Sequence, residues 1–268
     1  MTIEPWTQFR VWPSAPGRRV HEQVVAAIRD EIVAGRLKAG DKLPSERHLS
    51  EMLGVSRTSV REAIRILESQ SVIRARVGAG PDSGSVVVSE EGDLLSNLLK
   101  MHTALESLSL SEIVDVRCLL EMHAVRSTAT RITTEPQALR PVELALGRMR
   151  NATDHRAAFV VADADFHLAI ADLSGNRLLS FFMRALREVL EQTLDVIYAD
   201  VEDWENVSRT VCSEHAAILD AIRAGDGDSG AELVMRHIRR AYDRRFVDGD
   251  ALCADTFRGL NTTASPRE

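Results

Sequence analysis

The sequence predicts a mainly α protein in two parts. The first is a pair of short helices followed by a small β-hairpin, and the second is an all-α antiparallel helical bundle. Three observations lead there. Leu43-Pro44-Ser45-Glu46-Arg47 and Ser56-Arg57-Thr58-Ser59-Val60-Arg61-Glu62-Ala63 each carry helix start signals, a few residues apart. Strand-like alternation surrounds Arg74 and Arg76, passes through a Gly-rich loop and resumes at Val86-Val87-Val88. From Asp93 onward, apolar residues recur at the helical period and strand signals disappear.

In chain order, residues 1–16 carry Trp6, Phe9, Trp12 and Pro13 without periodicity, an arm that docks on its own or a partner subunit or stays disordered. Pro44 and Ser45 then open one helix, Gly54 closes it, and Ser56 caps the next. The intervening turn is about three residues, the length that helix-turn-helix geometry requires. The second helix places Arg57, Thr58, Ser59 and Arg61 near its N-terminus, where a recognition helix presents side chains to the major groove. Val60, Ala63, Ile64 and Leu67 would bury its other face. A surface helix whose arginines pair with Glu62 and Glu68 is the plainer alternative. The flanking Gly35, Leu37, Gly40, Asp41, Leu43 and Pro44, with the hairpin from Ile73 to Val88, shift the balance to DNA.

Six or seven helical segments are expected in the bundle, at approximately 93–106, 111–132, 136–151, 155–173, 176–199, 203–224 and 227–246, separated by breaks such as Ser174-Gly175-Asn176 and Ala224-Gly225-Asp226-Gly227. Such short connections imply antiparallel neighbours around one interior. Pro141 makes the third segment start late or bend. The resulting organisation is an arm at 1–16, a DNA-binding domain at 17–90, a helical domain at 93–248 and a flexible tail at 249–268.

Charge is divided along the chain. The whole carries 33 Lys plus Arg against 40 Asp plus Glu, yet residues 17–80 hold a net +4 and the remainder a net of 11 negative charges. Attraction to nucleic acid is therefore confined to one end. No run approaches a membrane span and the N-terminus lacks a signal pattern, so a cytoplasmic protein is expected. Cys118, Cys212 and Cys253 are few, odd in number and widely spaced, as buried free thiols would be.

One constellation in the bundle carries chemistry. Asp163 and His167 are four apart and share a helix face. His215 and His237 lie about ten residues either side of the turn at Gly225 to Gly227, so antiparallel packing would bring them level. One site fed by three helices is permitted. A solvated Asp/His pair and hydrogen-bonded core histidines are the alternatives.

Residues 17–88 resemble the winged-helix domain of the GntR family of transcription factors. The likeness rests on Gly35, Leu37 and Gly40, on Leu43-Pro44-Ser45-Glu46-Arg47, and on Val55-Ser56-Arg57-Thr58 with Val60-Arg61-Glu62-Ala63. It implies that Arg47, Ser56, Arg57, Thr58, Ser59 and Arg61 contact DNA and that a wing glycine, Gly78 or Gly80, approaches the minor groove. The chain departs at Ser71, where the family usually has Gly, and in the Pro81-Asp82-Ser83-Gly84 extension of the wing tip. Residues 93–246 resemble the FCD effector domain of the FadR-type branch, through Asp163-Ala164-Asp165-Phe166-His167, Ser174-Gly175-Asn176, Glu214-His215 and Met235-Arg236-His237.

This second resemblance implies a divalent metal held by Asp163, His167, His215 and His237, with Asp165 on a different face. Three imidazoles and a carboxylate suit Zn, Ni, Mn or Fe(II), with Zn or Ni favoured, and leave open positions if the ion is five- or six-coordinate. Arg117 resembles the family's effector-binding arginine; an ion pair with Glu121 or Asp115 is its alternative. The function implied is that of a homodimeric repressor on a palindromic DNA operator, controlled by a small organic acid at the metal. A sensor of the metal itself is the first rival and a metallohydrolase the second. Against the hydrolase, there is no His-Glu-x-x-His helix, and Glu214, beside His215, points about a third of a turn away from the ion.

Overall fold

The structure, a computed structural model, describes residues 19–76, 84–88, 93–199 and 201–246. The arm at 1–16, the wing glycines Gly78 and Gly80 and the tail from 249 lie outside the described residues. The chain divides into two compact units, Met1–Glu90 and Glu91–Glu268.

The first unit holds helices α1 (Val20–Val33), α2 (Glu46–Leu53) and α3 (Arg57–Ser69) and strands β1 (Ile73–Arg76) and β2 (Gly84–Val87). Ser45 caps α2 by accepting from the His48 amide at 3.3 Å, and Gly54 ends it in the left-handed region at φ 64°. Ser56 caps α3, accepting from the Ser59 amide at 3.1 Å, so the turn is residues 54–56, as the capping signals required. Each cap satisfies an amide that the helix itself cannot, worth about 1 kcal/mol. The core beneath is aliphatic, built from Val24, Ile28, Leu49, Val60, Leu67 and Ile73.

β1 and β2 pair antiparallel, with Ile73 opposite Val87 and Arg76 opposite Gly84. The other edge of β2 is occupied as well. Leu43 donates to the Ser85 carbonyl at 2.8 Å and Val87 to that of Asp41 at 2.9 Å, with a bridge between Lys42 and Val86. Residues 41–43 thus bind the hairpin to the loop before α2. Sequence patterning misses this because the segment is too short to alternate and runs into Pro44. Ser71, between α3 and β1, has φ 54°. That left-handed conformation explains why glycine suits the position, since a side chain there costs about 1–2 kcal/mol.

The second unit comprises α4 (Asp93–Ala104), α5 (Leu110–Ile132), α6 (Arg140–Asn151), α7 (Arg156–Leu173), α8 (Arg177–Ala199), α9 (Trp204–Arg223) and α10 (Gly227–Phe246). The third expected segment opens as a 3-10 turn at Pro136–Leu139, and α6 follows with Pro141 in its first turn. There the missing amide would have lacked a helical partner anyway, so the helix starts late and does not bend. α7 is central, packing on α5, α6 and α8. It buries Phe159, Val160, Ala162, Phe166 and Ile170 alongside Asp163 and His167, so its polar functional residues sit inside an otherwise apolar helix. α5 and α10 approach closely because Gly227 and Gly230 face Val125, Arg126 and Ala129 of α5. No helix among the described residues is long and apolar enough to cross a membrane.

Two glycine substitutions test this packing in opposite directions. A Cβ at Gly227 would lie 2.9 Å from the backbone Cα of Arg126, which cannot swing aside. Gly227→Ala should therefore destabilise by about 1–3 kcal/mol, whereas Ser71→Gly should stabilise the first unit by about 0.5–1 kcal/mol. Thermal unfolding of the two variants against the parent checks both signs.

Candidate metal centre and DNA-reading surface

α7, α9 and α10 bring four donors together. One ligand atom from each of Asp163, His167, His215 and His237 lies within 4.8 Å of the others, and all four side chains are buried. The i,i+4 spacing of α7 supplies two of them, and the Gly225-Gly227 turn brings α9 and α10 level for the other two. Asp165 faces elsewhere and is held by Arg148 and Arg187, each at 2.9 Å.

The histidines are oriented from outside. His215 Nδ1 lies 2.8 Å from the Val211 carbonyl, which can only accept, so Nδ1 carries a proton and the neutral ring keeps its lone pair on Nε2. His237 Nδ1 donates to Glu214 at 2.8 Å. His167 Nδ1 donates to Glu121, whose other oxygen accepts from Arg117 Nε at 2.6 Å. Every outer nitrogen therefore has an acceptor, and every inner one turns a lone pair on its neighbours. Burial pushes His237 down to about 4, with nearby His215 adding to the effect and Glu214 opposing it. Burial also pushes His167 down, against the pull of Glu121. Burial alone would raise Glu121, but His167 and Arg117 hold it at about 2.

The inward set lacks a donor. His215 Nε2 lies 3.2 Å from His167 Nε2 and 3.1 Å from Asp163 Oδ1, yet that oxygen accepts no hydrogen bond. Proximity without a proton between them is repulsion, and a buried acceptor without a partner costs about 1–3 kcal/mol. Neutral imidazoles and a carboxylate converging on one point are the donor set for a divalent cation, and outer acceptors on each imidazole are what such a site needs. The residues fit a metal. Phe166 closes one side, edge-on to His215 with ring centroids 4.5 Å apart.

Two cavities reach the cluster. One, of about 20 Å³, is lined by Asp163, His167, Arg117, Arg187, Met183 and Leu190 among others. The second, of about 90 Å³, meets His237 with Glu214, Arg240, Asn206 and Thr210. Arg117 is buried and already engaged, by Glu121 and by the Tyr242 hydroxyl at 3.1 Å. The alternative ion pair with Glu121 is thus present, although Arg117 still borders the cavity beside Asp163. The partnership of Arg117 and Glu121 was visible at i,i+4, while Glu214 with His237 and Tyr242 with Arg117 join different helices and leave no mark in local spacing.

On the first unit, Arg47, Arg57, Thr58 and Arg61 are exposed, Ser59 is half-buried and Ser56 spends its hydroxyl on the α3 cap. The alternative pairing of the α3 arginines with Glu62 and Glu68 does not form. Arg61 is instead bound by Glu46 of α2 at 2.9 Å, and Glu62 meets His21 of α1 at 3.1 Å.

A helix-turn-helix with a hairpin wing, in a chain whose second unit is a helical bundle with a buried His/Asp cluster, defines a DNA-binding regulator as the class of protein. Residues 20–81 match the bacterial regulatory proteins of the gntR family, and residues 112–240 match the FCD domain. A protein of Escherichia coli K12 whose name associates it with regulation of the L-lactate dehydrogenase operon is 31% identical over 242 residues, covering 87% of this chain and 90% of its own length. LutR of Bacillus subtilis, an HTH-type transcriptional regulator, is 30% identical, covering 78% and 93% respectively. The structure of a GntR protein from Streptococcus agalactiae shares the fold at a TM-score of 0.58 and 24% identity, over 84% of this chain and 99% of its own. The chain belongs to the GntR family, in its FCD-containing branch, and is a DNA-binding transcription regulator.

The repulsion among inward lone pairs makes a prediction. Stripping divalent ions with a chelator should lower the melting temperature of the second unit, and Zn or Ni should restore it, since an ion at a thousand times its Kd adds about 4 kcal/mol. His215→Ala should abolish that response, and Glu121→Gln should weaken ion affinity by about 10- to 100-fold. Differential scanning fluorimetry with metal analysis reads all three.

Proposed function

We propose that the chain is a homodimeric repressor whose hold on a palindromic operator is controlled by a small carboxylate bound at the metal centre. The observation that carries this reading is the inward-facing set of Asp163, His167, His215 and His237, including a buried carboxylate oxygen with no hydrogen bond. A bound divalent ion, Zn or Ni by preference among Zn, Ni, Mn and Fe, would supply a Lewis-acidic centre with room for an outside oxygen. Asp163, His167, His215 and His237 would hold it, with Glu121, Glu214 and the Val211 carbonyl keeping the imidazoles oriented.

Arg117 is the proposed partner for the effector's carboxylate, since it lines the cavity that also meets Asp163 and His167. The effector would compete with Glu121 for that guanidinium. The smallness of both cavities and the association of the Escherichia coli relative with an L-lactate dehydrogenase operon favour an acid of a few carbons. Repression is favoured by the name of NanR of Klebsiella aerogenes, an HTH-type transcriptional repressor 29% identical over 236 residues. On the DNA side, Arg47, Arg57, Thr58, Ser59 and Arg61 are the proposed contacts, with Ser56 fixing the start of α3 and Gly78 or Gly80 of the wing meeting the minor groove. Two winged helices would each take one half-site, and effector binding would bias the helical unit between two arrangements that hold the operator differently.

Two measurements at fixed salt test this reading. Arg57→Ala should abolish specific operator binding with dimer and metal content unchanged; retained affinity would show that α3 does not read DNA. Titrating the metal-loaded protein with short hydroxy acids should release the operator, while varying the free ion without acid should not. Release by the ion alone would make the metal the signal.

A further inference from the structure

Three arginines, Arg57, Arg61 and Arg65, form a row along one exposed face of α3, each one turn from the next. Their surroundings differ. Arg61 meets Glu46, the first residue of α2. Its Nε lies 3.2 Å from both carboxylate oxygens and its Nη2 2.9 Å from one of them. Among the described residues, no hydrogen bond or ion pair holds Arg57 or Arg65 in this way. A single carboxylate therefore holds the middle arginine of the row by hydrogen bonds and reaches the outer two only through its charge.

The edge that Glu46 takes decides what remains. A guanidinium presents five N–H groups in one plane. With the Nε–Nη2 side engaged, the terminal edge keeps one N–H on each Nη, two parallel donors pointing onward from the side chain. That spacing suits the two acceptors, O6 and N7, that guanine alone offers side by side in the major groove. An arginine already held in place also loses less freedom when it binds. We infer that Glu46 is a positioning residue, which presents the terminal edge of Arg61 to a guanine in each operator half-site. This inference rests on the reading of α3 as the recognition helix and adds to it a specified base and the residue that selects it.

Selection of full-length protein variants on a randomised duplex library tests it, followed by titration of the selected sites at several salt concentrations. The parent should select a guanine at one position per half-site with about 5- to 150-fold discrimination, the range for a bidentate arginine contact. Arg61→Ala and Glu46→Ala should both lose the preference at that same position. Glu46→Gln, which keeps one acceptor and the shape of the helix start, should fall between. The salt dependence of the Glu46 variants should match the parent, because no phosphate contact is removed. A merely structural Glu46 would instead lower affinity on all sequences alike. If Arg61→Ala loses the guanine preference and both Glu46 variants keep it, the positioning role is overturned. Tighter binding by Glu46→Ala with unchanged preference would also overturn it, by showing that Glu46 holds Arg61 away from DNA. If Arg57→Ala binds the operator like the parent, the recognition-helix reading itself fails.

Discussion

The second unit depends on how four buried donors can share one point. Asp163, His167, His215 and His237 bring only lone pairs to it, because Glu121, Glu214 and the Val211 carbonyl hold the imidazole protons outside. That arrangement is unfavourable by itself and favourable around a cation. The outer acceptors come from α5 and α9 and the ligands from α7, α9 and α10, so an ion here joins four helices. The close approach of α5 to α10 through Gly227 and Gly230 belongs to the same construction, since it lets Tyr242 reach Arg117 and extends the chain of contacts from His167 through Glu121 to α10.

Such a centre is a suitable place for control. Arg117 and Glu121 form a buried ion pair, and removing the partner of a buried charge is costly unless another replaces it. The proposed carboxylate effector would offer that replacement to Arg117, and Glu121 in turn is the acceptor that orients His167. In that proposal, effector, arginine and metal-binding histidine would be linked through contacts that each have an alternative partner. The first unit is built differently. Its arginines are exposed and basic residues outnumber acidic ones, so long-range attraction brings it to DNA while the helix caps and the extra pairing on β2 fix what it presents.

Much of this was legible in the residues. Ser45, Gly54 and Ser56 mark the helix ends because capping is a local matter of one side chain and one amide. The i,i+4 pair on α7 and the symmetric placement of His215 and His237 about a tight turn are likewise local geometry carried through antiparallel packing. Contacts without a local pattern were not legible. Residues 41–43 pair with β2 although nothing in them reads as a strand, and Glu46 finds Arg61 across the helix-turn-helix, whereas local spacing offered only the nearer Glu62 and Glu68 as alternative partners. Glu214 shows the same limit: its offset from the ion was foreseeable, but its role on the outer nitrogen of His237 needed α10 in place. Ser71 is an intermediate case, a departure visible in sequence whose left-handed backbone gives it meaning.

Whether Asp163, His167, His215 and His237 share one ion is tested most directly by metal-edge X-ray absorption on protein purified without added ions or chelator. The expected spectrum is that of one bound divalent ion with three imidazoles and oxygen at about 2.0–2.2 Å, at least one oxygen being exchangeable for a small carboxylate. A protein that retains no ion, or one whose ion shows fewer than three imidazoles, would contradict the shared site.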